Sequence, residues 1–595
     1  PRYYKLFFKN IVIYNKNYKF IRNQHGECVL SLINRRDLFW FYNLISNEFP
    51  NIKQEIKYYL LKTILDDYNS DNFSITFNLI NFYKIKDYCS VNKIDNSNVI
   101  ILFNERPWLK FYDLFNNQKF KIISIRYFDF KNLFNNLIIK IKIIRLNLLP
   151  RKKINNINKN IFKIYYEGLG EFNLNKNGYN SDLFFYLYSQ LNPRFIVSNY
   201  NNKFEKIELK ESNISILNKK NFNNLMINLD YQLYSKNIFN KIENKYINNT
   251  VHDFYINKNY WINLFYLNKI KVYLTWYKYR NTHIPINSAL NDLGGILCFW
   301  DRSVEIFSCP QLKTVGDVYF KSSNFMSNSE VENKSDIKNY INCGLIRSYG
   351  NDIIKKNSFE IRKKFFNSKI EKIIALFDQN SIDKYSHDFI NGVYHAILTK
   401  IIKSENLGLV IKPKKSNTIL KRLYKETKIL LDLAIKQKKC YIFLSHGLYQ
   451  SNVPVTMAAH LSDVCLHTSL AASTAAIECA SINKSTYIID NDGYPNNRFF
   501  ETNNNSIIFK NIDEFMYSFD ENFNKNKIKL NLSLWSKIID KIDNFKDGRA
   551  AERIGNYLND LIYNINIGEN KIDCIEIANK NYIEQWGSNN VIKIL

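Results

Sequence analysis

A chain of 595 residues is longer than one hydrophobic core normally supports, so two or three domains are expected. The formal charge of +28, from 83 basic against 55 acidic residues, is spread through a sequence rich in Asn, Lys, Ile, Tyr and Phe, and no helix-turn-helix, RNP or zinc-finger signature accompanies it, which argues against specific nucleic-acid binding. Nine cysteines without a CxxC pair exclude a disulfide framework and a zinc spacing and fit a reducing cytoplasm; no run of about 18 apolar residues escapes a charge, so no transmembrane helix is expected. The first residue is Pro1 rather than Met, which leaves room for a preceding segment or targeting signal.

In chain order, Tyr3 to Val29 alternates apolar and polar residues as short strands would, and Asp37 to Asp67 has helical spacing with an aromatic surplus. Val99 to Phe103 and Phe120 to Ile125 are further apolar runs between Asn-rich connections, while Arg151 to Asn160 and Asn218 to Asn224 resemble loops or insertions. From Phe162 the pattern becomes regular. Phe162 to Tyr166 is a strand leading into Glu167-Gly-Leu-Gly170, Asp182 to Gln190 is helical, and Phe195 to Ser198 is a strand. Lys271 to Trp276 is another strand, followed by a helix from Pro285 to Leu293 that Gly294-Gly295 stops, and by a strand Ile296 to Trp300 ending at Asp301-Arg302-Ser303.

Beyond Lys369 the grammar is strand, helix, strand. Lys372 to Phe377 ends in Asp378; a helix from Asp388 to Ile402 leads to Leu407 to Ile411, which ends in Lys412-Pro-Lys-Lys415. A long helix, Ile419 to Lys436, precedes the strand Tyr441 to Leu444 and then Ser445-His-Gly447. Val464 to Leu466, Ser485 to Asp490 and Ser506 to Phe509 complete the strands. Alternation at this spacing indicates a parallel, doubly wound sheet, whose ligands lie beyond the carboxyl ends of the strands. That rule selects Asp378, Lys412, Lys414, His446, Thr468, Ser469 and Asp490.

The densest signal is Asp463 to Ala480. A short apolar run meets a small-residue turn, Thr468 to Ser473, and a helix carrying one carboxylate, Glu478. Unpaired N–H groups and the positive dipole end of such a helix suit a phosphate, and a carboxylate two to three turns inside can accept from ribose hydroxyls. The same residues also suit an ordinary βαβ unit in which Ser and Thr cap a helix.

A basic Lys-Pro-Lys after one strand, the Ser/Thr turn opening a helix with an internal Glu, and a strand ending before Asp492-Gly-Tyr-Pro495 resemble the C-terminal donor domain of GT-B glycosyltransferases. More narrowly the chain resembles a bacterial group assigned to surface-polysaccharide or capsule biosynthesis, in which Asp547-Gly-Arg-Ala-Ala-Glu-Arg-Ile-Gly555 has counterparts; the likeness runs from about Phe162 to Ile565. It implies an α/β fold of two Rossmann-like domains facing across a cleft: an N-terminal α+β or α/β region over 1–160, an acceptor-side domain over 161–368, a donor domain over 369–546, and a helix and tail over 547–595 packing across the domains. A nucleotide-sugar donor is implied as substrate, with no permanently bound cofactor. Thr468, Ser469 and Ser473 match the diphosphate turn, Glu478 the ribose carboxylate, and Lys412 and Lys414 the cations that meet leaving-group charge without a metal. His446 and Asp490 complete the donor-side set. Leu470, Ala471 and Ala472 stand where better-known members carry glycines.

For the base that deprotonates an acceptor hydroxyl, His283 comes first, with Asp301 and Glu167 behind it. His467 reads as a packed histidine bonded to backbone, and His387 with Asp388 reads as a ligand-side pair or a helix start. The eight histidines show no metal spacing. The charges of Asp547 to Arg553 suit a lock across domains or a solvated helix face. The expectation is thus a cytoplasmic glycosyltransferase acting on a glycan or glycolipid acceptor, in which a basic surface suits the inner face of an anionic membrane. A nucleotide-sugar 2-epimerase of the same fold and a non-catalytic basic membrane- or nucleic-acid-binding protein are the alternatives.

Overall fold

The computed structural model describes residues 39–65, 85–86, 89–95, 99–104, 108, 121–125, 161–167, 174, 183–200, 203–218, 236, 240–304, 312–346, 349–366, 369–378, 384–444, 453–468, 473–490 and 507–594. The chain divides into two units, one made of 1–148 with 230–252 and the other of 149–229 with 253–595. In the first unit, helices α1 (Phe39–Glu48) and α2 (Gln54–Leu65) stand where one helical segment was expected, and strands β1 (Ile100–Asn104) and β2 (Lys121–Ile125) pair in parallel. The buried Trp108 donates its backbone N–H to Glu243 Oε1 at 2.8 Å within this unit. The strands expected over Tyr3 to Val29 and the loop at Arg151 to Asn160 lie outside the described residues.

The second unit holds two parallel sheets. The first lobe runs β3 (Lys163–Tyr166), α3 (Phe184–Leu187), β4 (Ile196–Ser198), α4 (Lys203–Glu211), β5 (Ser215–Ile216), α5 (Lys241–Asn268, of which 253–268 belong to this unit), β6 (Ile270–Thr275), α6 (His283–Asp292), β7 (Ile296–Trp300), β8 (Val315–Lys321), α7 (Asn324–Glu332) and β9 (Asp336–Asn342). Helix α8 (Asn351–Phe365) leads to the second lobe: β10 (Lys372–Asp378), α9 (Lys384–Lys403), β11 (Leu407–Pro413), α10 (Ile419–Arg422), α11 (Lys425–Lys436), β12 (Cys440–Ile442), α12 (Val455–Leu461), β13 (Val464–His467), α13 (Ser473–Ser481), β14 (Ser485–Ile489), β15 (Ile508–Phe509), α14 (Ile512–Tyr517), α15 (Phe519–Asn522) and α16 (Lys525–Ile542). The chain ends with α17 (Ala550–Ile567), α18 (Lys571–Trp586) and β16 (Val591–Lys593).

The sheet orders are β12-β11-β10-β13-β14-β15 and β16-β9-β8-β7-β6-β3-β4-β5. Counted from the first strand of each lobe, both contain the Rossmann order 3-2-1-4-5-6; β16 alone runs antiparallel, against β9. This is the architecture of two Rossmann-like domains that the resemblance implied, and the parallel, doubly wound sheet that the strand and helix alternation led us to expect. Its central strands are buried on both faces, β11 at all seven positions and β10 at every position but Lys372, because helices cover a parallel sheet on either side. The order reverses between β3 and β6 in one lobe and between β10 and β13 in the other, so each lobe has a crevice at the carboxyl ends of those strands.

Two expected helices are shorter than their sequence patterns. Of Asp182 to Gln190 only α3 is helical, the stretch closing where the Ser189 hydroxyl donates to Phe185 O at 2.5 Å. Ile419 to Lys436 breaks at Leu423 and Tyr424, both extended; Asn391 takes the break in hand, donating to Arg422 O at 3.0 Å and accepting from Tyr424 N at 2.6 Å. The break turns Arg422 inward onto Asp378.

Residues 547–595 supply α17, α18 and β16 to the first lobe. Ala551, Ile554, Leu558 and Leu561 of α17 pack with Val272, Leu274 and Phe320 in one core cluster. Gly555 allows this, because a Cβ there would overlap the backbone carbonyl of Phe185 and the side chain of Ser189. The buried Arg553 pairs with Asp547, donates to Cys343 O at 3.2 Å and lies over the rings of Phe545 and Trp586. Among the described residues no helix is long and apolar enough to cross a membrane.

Candidate active site

In the second lobe, the carboxyl ends of β10, β11 and β13 and the start of α13 come together. Phe377 is in register with both Lys412 and His467. The Thr468 hydroxyl, just past β13, donates to Phe377 O at 3.2 Å, and Lys414 N donates to Asp378 O at 3.3 Å, which fixes how both chains leave the sheet. Lys412 is 6 % exposed, and burial lowers its ammonium to about 8 although Glu478 and Asp378 lie near enough to favour the charge. Glu478 is itself buried on α13 beside that lysine, whereas Lys414 is exposed. Of α13 it is Ala480 and Ser481, at the far end from the turn, that line a described cavity of about 530 Å³. Helix α13 starts at Ser473; Ser469 and His446 lie outside the described residues, and Asp490 follows β14 with its N–H on Phe509 O at 2.8 Å.

Asp378, which the strand-end rule selected, has a structural job. Its carboxylate accepts from Arg422 at 3.1 and 3.3 Å and from Tyr394 Oη at 2.9 Å. Burial still raises it, against the pull of both partners. His467 stacks face to face on Phe377, with centroids 4.4 Å apart, and burial lowers it to about 3. It is neutral at any working pH, and its Nε2 is buried without a hydrogen-bond partner among the described residues, where a backbone bond had been expected.

In the first lobe, the reversal point opens into a cavity of about 310 Å³. Glu167, Trp261, Tyr273, Tyr277, Arg280 and His283 line it. Glu167 leaves the end of β3 half-buried and accepts from Tyr273 Oη at 3.2 Å. Two of the three base candidates thus share a cavity, and the geometry reorders them. His283 is 1 % exposed, its Nδ1 lies 3.0 Å from Arg280 O, and its Nε2 accepts from Val315 N at 3.4 Å. With both ring nitrogens engaged by backbone and the ring edge-on to Phe299, His283 is packed at the start of α6. Asp301 lies outside this cavity's lining and pairs with Lys321 at 3.0 Å.

That pair belongs to a buried network at the ends of β6, β7 and β8 that the sequence did not reveal. Lys278 and Lys321 both reach Glu330, the latter at 3.4 Å, and Ser335 Oγ donates to Glu330 at 2.7 Å. Burial alone would raise Glu330, but the two lysines and the hydroxyl outweigh it and hold the carboxyl at about 2. Arg302, next to Asp301, was passed over as well. Its guanidinium sits over Trp276, 4.1 Å from the ring centre, and its charge is felt by Lys414 of the other lobe. Two residues on, Val304 N donates to Thr474 Oγ1 at 2.9 Å, so the loop after β7 touches the first turn of α13. Its strand-end position, shared with Asp301, was the available signal. The loop after β7 therefore meets the first turn of α13, with Arg302 near Lys414 and with Lys412 beside Glu478 of the same helix. Among the described residues no three His, Cys, Asp or Glu side chains form a cation-binding group.

No protein-family model matches this chain, and no curated protein matches it. Among solved structures it is similar to a variant of the wall teichoic acid polymerase TagF, at 11% identity over 74% of this chain and 99% of that one, with a TM-score of 0.41. It is also similar to a UDP-N-acetylglucosamine 2-epimerase, described as putative, from Listeria monocytogenes, at 9% identity over 69% of this chain and 98% of that one, with a TM-score of 0.38. A third is Anabaena HepE in complex with UDP and glucose, at 10% identity over 65% of this chain and 97% of that one, with a TM-score of 0.32.

Proposed function

We propose that this chain is a GT-B glycosyltransferase that moves a sugar, or a related group, from a nucleotide-activated donor to a surface polysaccharide or glycolipid acceptor. The observation that carries the reading is that the loop after β7 touches the first turn of α13 through Val304 and Thr474, with Arg302 of that loop near Lys414 and with Lys412 beside Glu478 on the same helix, so that cations from both lobes gather about α13. A departing nucleoside phosphate gathers negative charge as its bond to the sugar breaks. Cations and unpaired helix N–H groups fixed in advance at that point stabilise the charge without reorganising. This reading assigns the task to side chains and backbone rather than to a metal ion.

The aromatic cavity at the end of β3 takes the acceptor. The half-buried Tyr277 and Trp261 offer faces for a sugar ring, and Glu167 supplies a carboxylate within it. As the acceptor oxygen forms its bond to the sugar carbon, its proton passes to Glu167, and the sugar–phosphate bond gives its electron pair to the leaving nucleotide.

A thermal-shift screen of UDP, GDP, CMP, CDP and dTDP tests the donor half, since a ligand bound only to the folded form raises Tm. One nucleotide should stabilise the parent chain and fail to stabilise Lys412→Ala. If none does, the reading is wrong. Nucleotide release that requires an acceptor supports transfer; turnover of a nucleotide-sugar with no acceptor present would replace it with epimerisation.

A further inference from the structure

At the opposite end of the first-lobe sheet, where the strands begin, lies a hollow of about 670 Å³ that the proposed reaction does not use. Lys163 is the first residue of β3, Lys269 directly precedes β6, and Arg194 sits in the turn before β4, so the topology brings three cations to one end of the sheet. Among the described residues that line it there is no carboxylate. The positions of the two lysines are fixed by backbone, Lys163 N donating to Lys269 O at 2.9 Å. The Lys163 ammonium is drawn inward, donating to Ser215 Oγ at 2.5 Å. Burial and then the charge of Lys269 lower Lys163, which means that the two ammoniums repel across the hollow. Like charges gathered in a concavity without a counter-charge favour whatever anion enters it.

We propose that this hollow binds a phosphate group, at a site separate from the donor's. Lysine ammoniums and an exposed arginine fork supply charge-assisted bonds to several oxygens at once, as a phosphate monoester or diester requires. Ile161 and Leu267 line the same hollow at 52% and 37% exposure, so an apolar group attached to the phosphate also finds a surface. The chemistry is shared by a lipid headgroup and by a soluble phosphate.

The experiment uses the full chain with two probes: inorganic phosphate by calorimetry, and vesicles of phosphatidylcholine with or without phosphatidylglycerol by co-sedimentation. The variants are Lys163→Gln/Lys269→Gln and, because Arg194 is exposed and its loss does not disturb a core, Arg194→Gln. Lys421→Gln/Lys436→Gln, at exposed positions on the other lobe, removes the same net charge as the double variant. Binding of at least one probe should weaken roughly tenfold in the hollow variants and hold in the charge-matched control. Free phosphate identifies a soluble ligand; vesicles alone identify a headgroup. The proposal is overturned if neither probe binds, if the hollow variants bind like the parent, or if the control loses as much. Nucleotide-induced stabilisation, measured on the same variants, should be unchanged, so this site and the donor site stand or fall separately.

Discussion

Lys412 owes its chemistry to where β11 ends. Burial costs its ammonium and lowers it to about 8, while Glu478 and Asp378 keep it from falling further. Since the folded value lies below the ordinary 10.5, the fold bears the cost of that charge below pH 8 and is relieved of it as pH rises toward 10.5. A nucleotide needs the charged form. Donor affinity should therefore fall about tenfold or more between pH 7.5 and 9.5 while Tm without ligand does not drop on this account, which separates lost binding from unfolding. Glu167 should behave differently. Glu167→Gln keeps the Tyr273 hydroxyl supplied with an acceptor but removes the proton sink, so kcat should fall by roughly 10²–10⁴ with nucleotide binding intact. Unchanged kcat would assign the base elsewhere.

At the scale of elements, the loops after β6, β7 and β8 are held by Glu330. Helix α7 carries this carboxylate to two buried lysines, and no solvent reaches the group to replace a lost partner. Glu330→Gln leaves Lys278 and Lys321 with Asp301 as their remaining carboxylate in the network and should cost roughly 3–5 kcal/mol in denaturant unfolding at neutral pH. The sign with pH follows from the lowered carboxyl. Its contribution is whole above its ordinary 4.5 and is lost as pH falls toward 2, so parent and variant should converge in stability through that window. A parallel pair of curves would refute the assignment. Buried pairing also explains why β8 escaped the sequence: Asp317 and Lys321 look solvent-bound in a linear reading, yet Lys321 pairs with Asp301 and Glu330, and Asp317 accepts from Leu297 N at 2.8 Å and pairs with Lys571 at 2.7 Å.

For the whole second unit, what matters is that the chain returns. After α16 it comes back to the first lobe, and α17 crosses α3 at Gly555, closely enough that no Cβ fits against the backbone of Phe185. Gly555→Ala should destabilise by about 1–3 kcal/mol or more, because backbone rather than a flexible side chain must give way. The measurement is the urea midpoint; an unchanged value would mean that the crossing is looser. The charged motif that opens this helix serves the same crossing, with Arg553 buried between Asp547, Phe545 and Trp586 while Arg549 and Glu552 pair at 2.8 Å at the surface.

Local order was legible from the residues. Apolar runs bounded by Gly, Pro and charged ends gave β7 in full and β10, β11, β13 and β14 to within a residue or two, because a strand buried on both faces must be continuously apolar. The switch-point rule then picked out Lys412, Lys414 and Thr468. Tertiary structure alone decided which of the strand-end residues are available for chemistry. Whether Asp378, His283 and Asp301 face a ligand or are consumed by Arg422, by the Val315 amide and by Lys321 depends on partners 20 to 44 positions away. No periodicity encodes such partners, since a side chain's hydrogen bonds are fixed by packing in space and not by its neighbours in the chain.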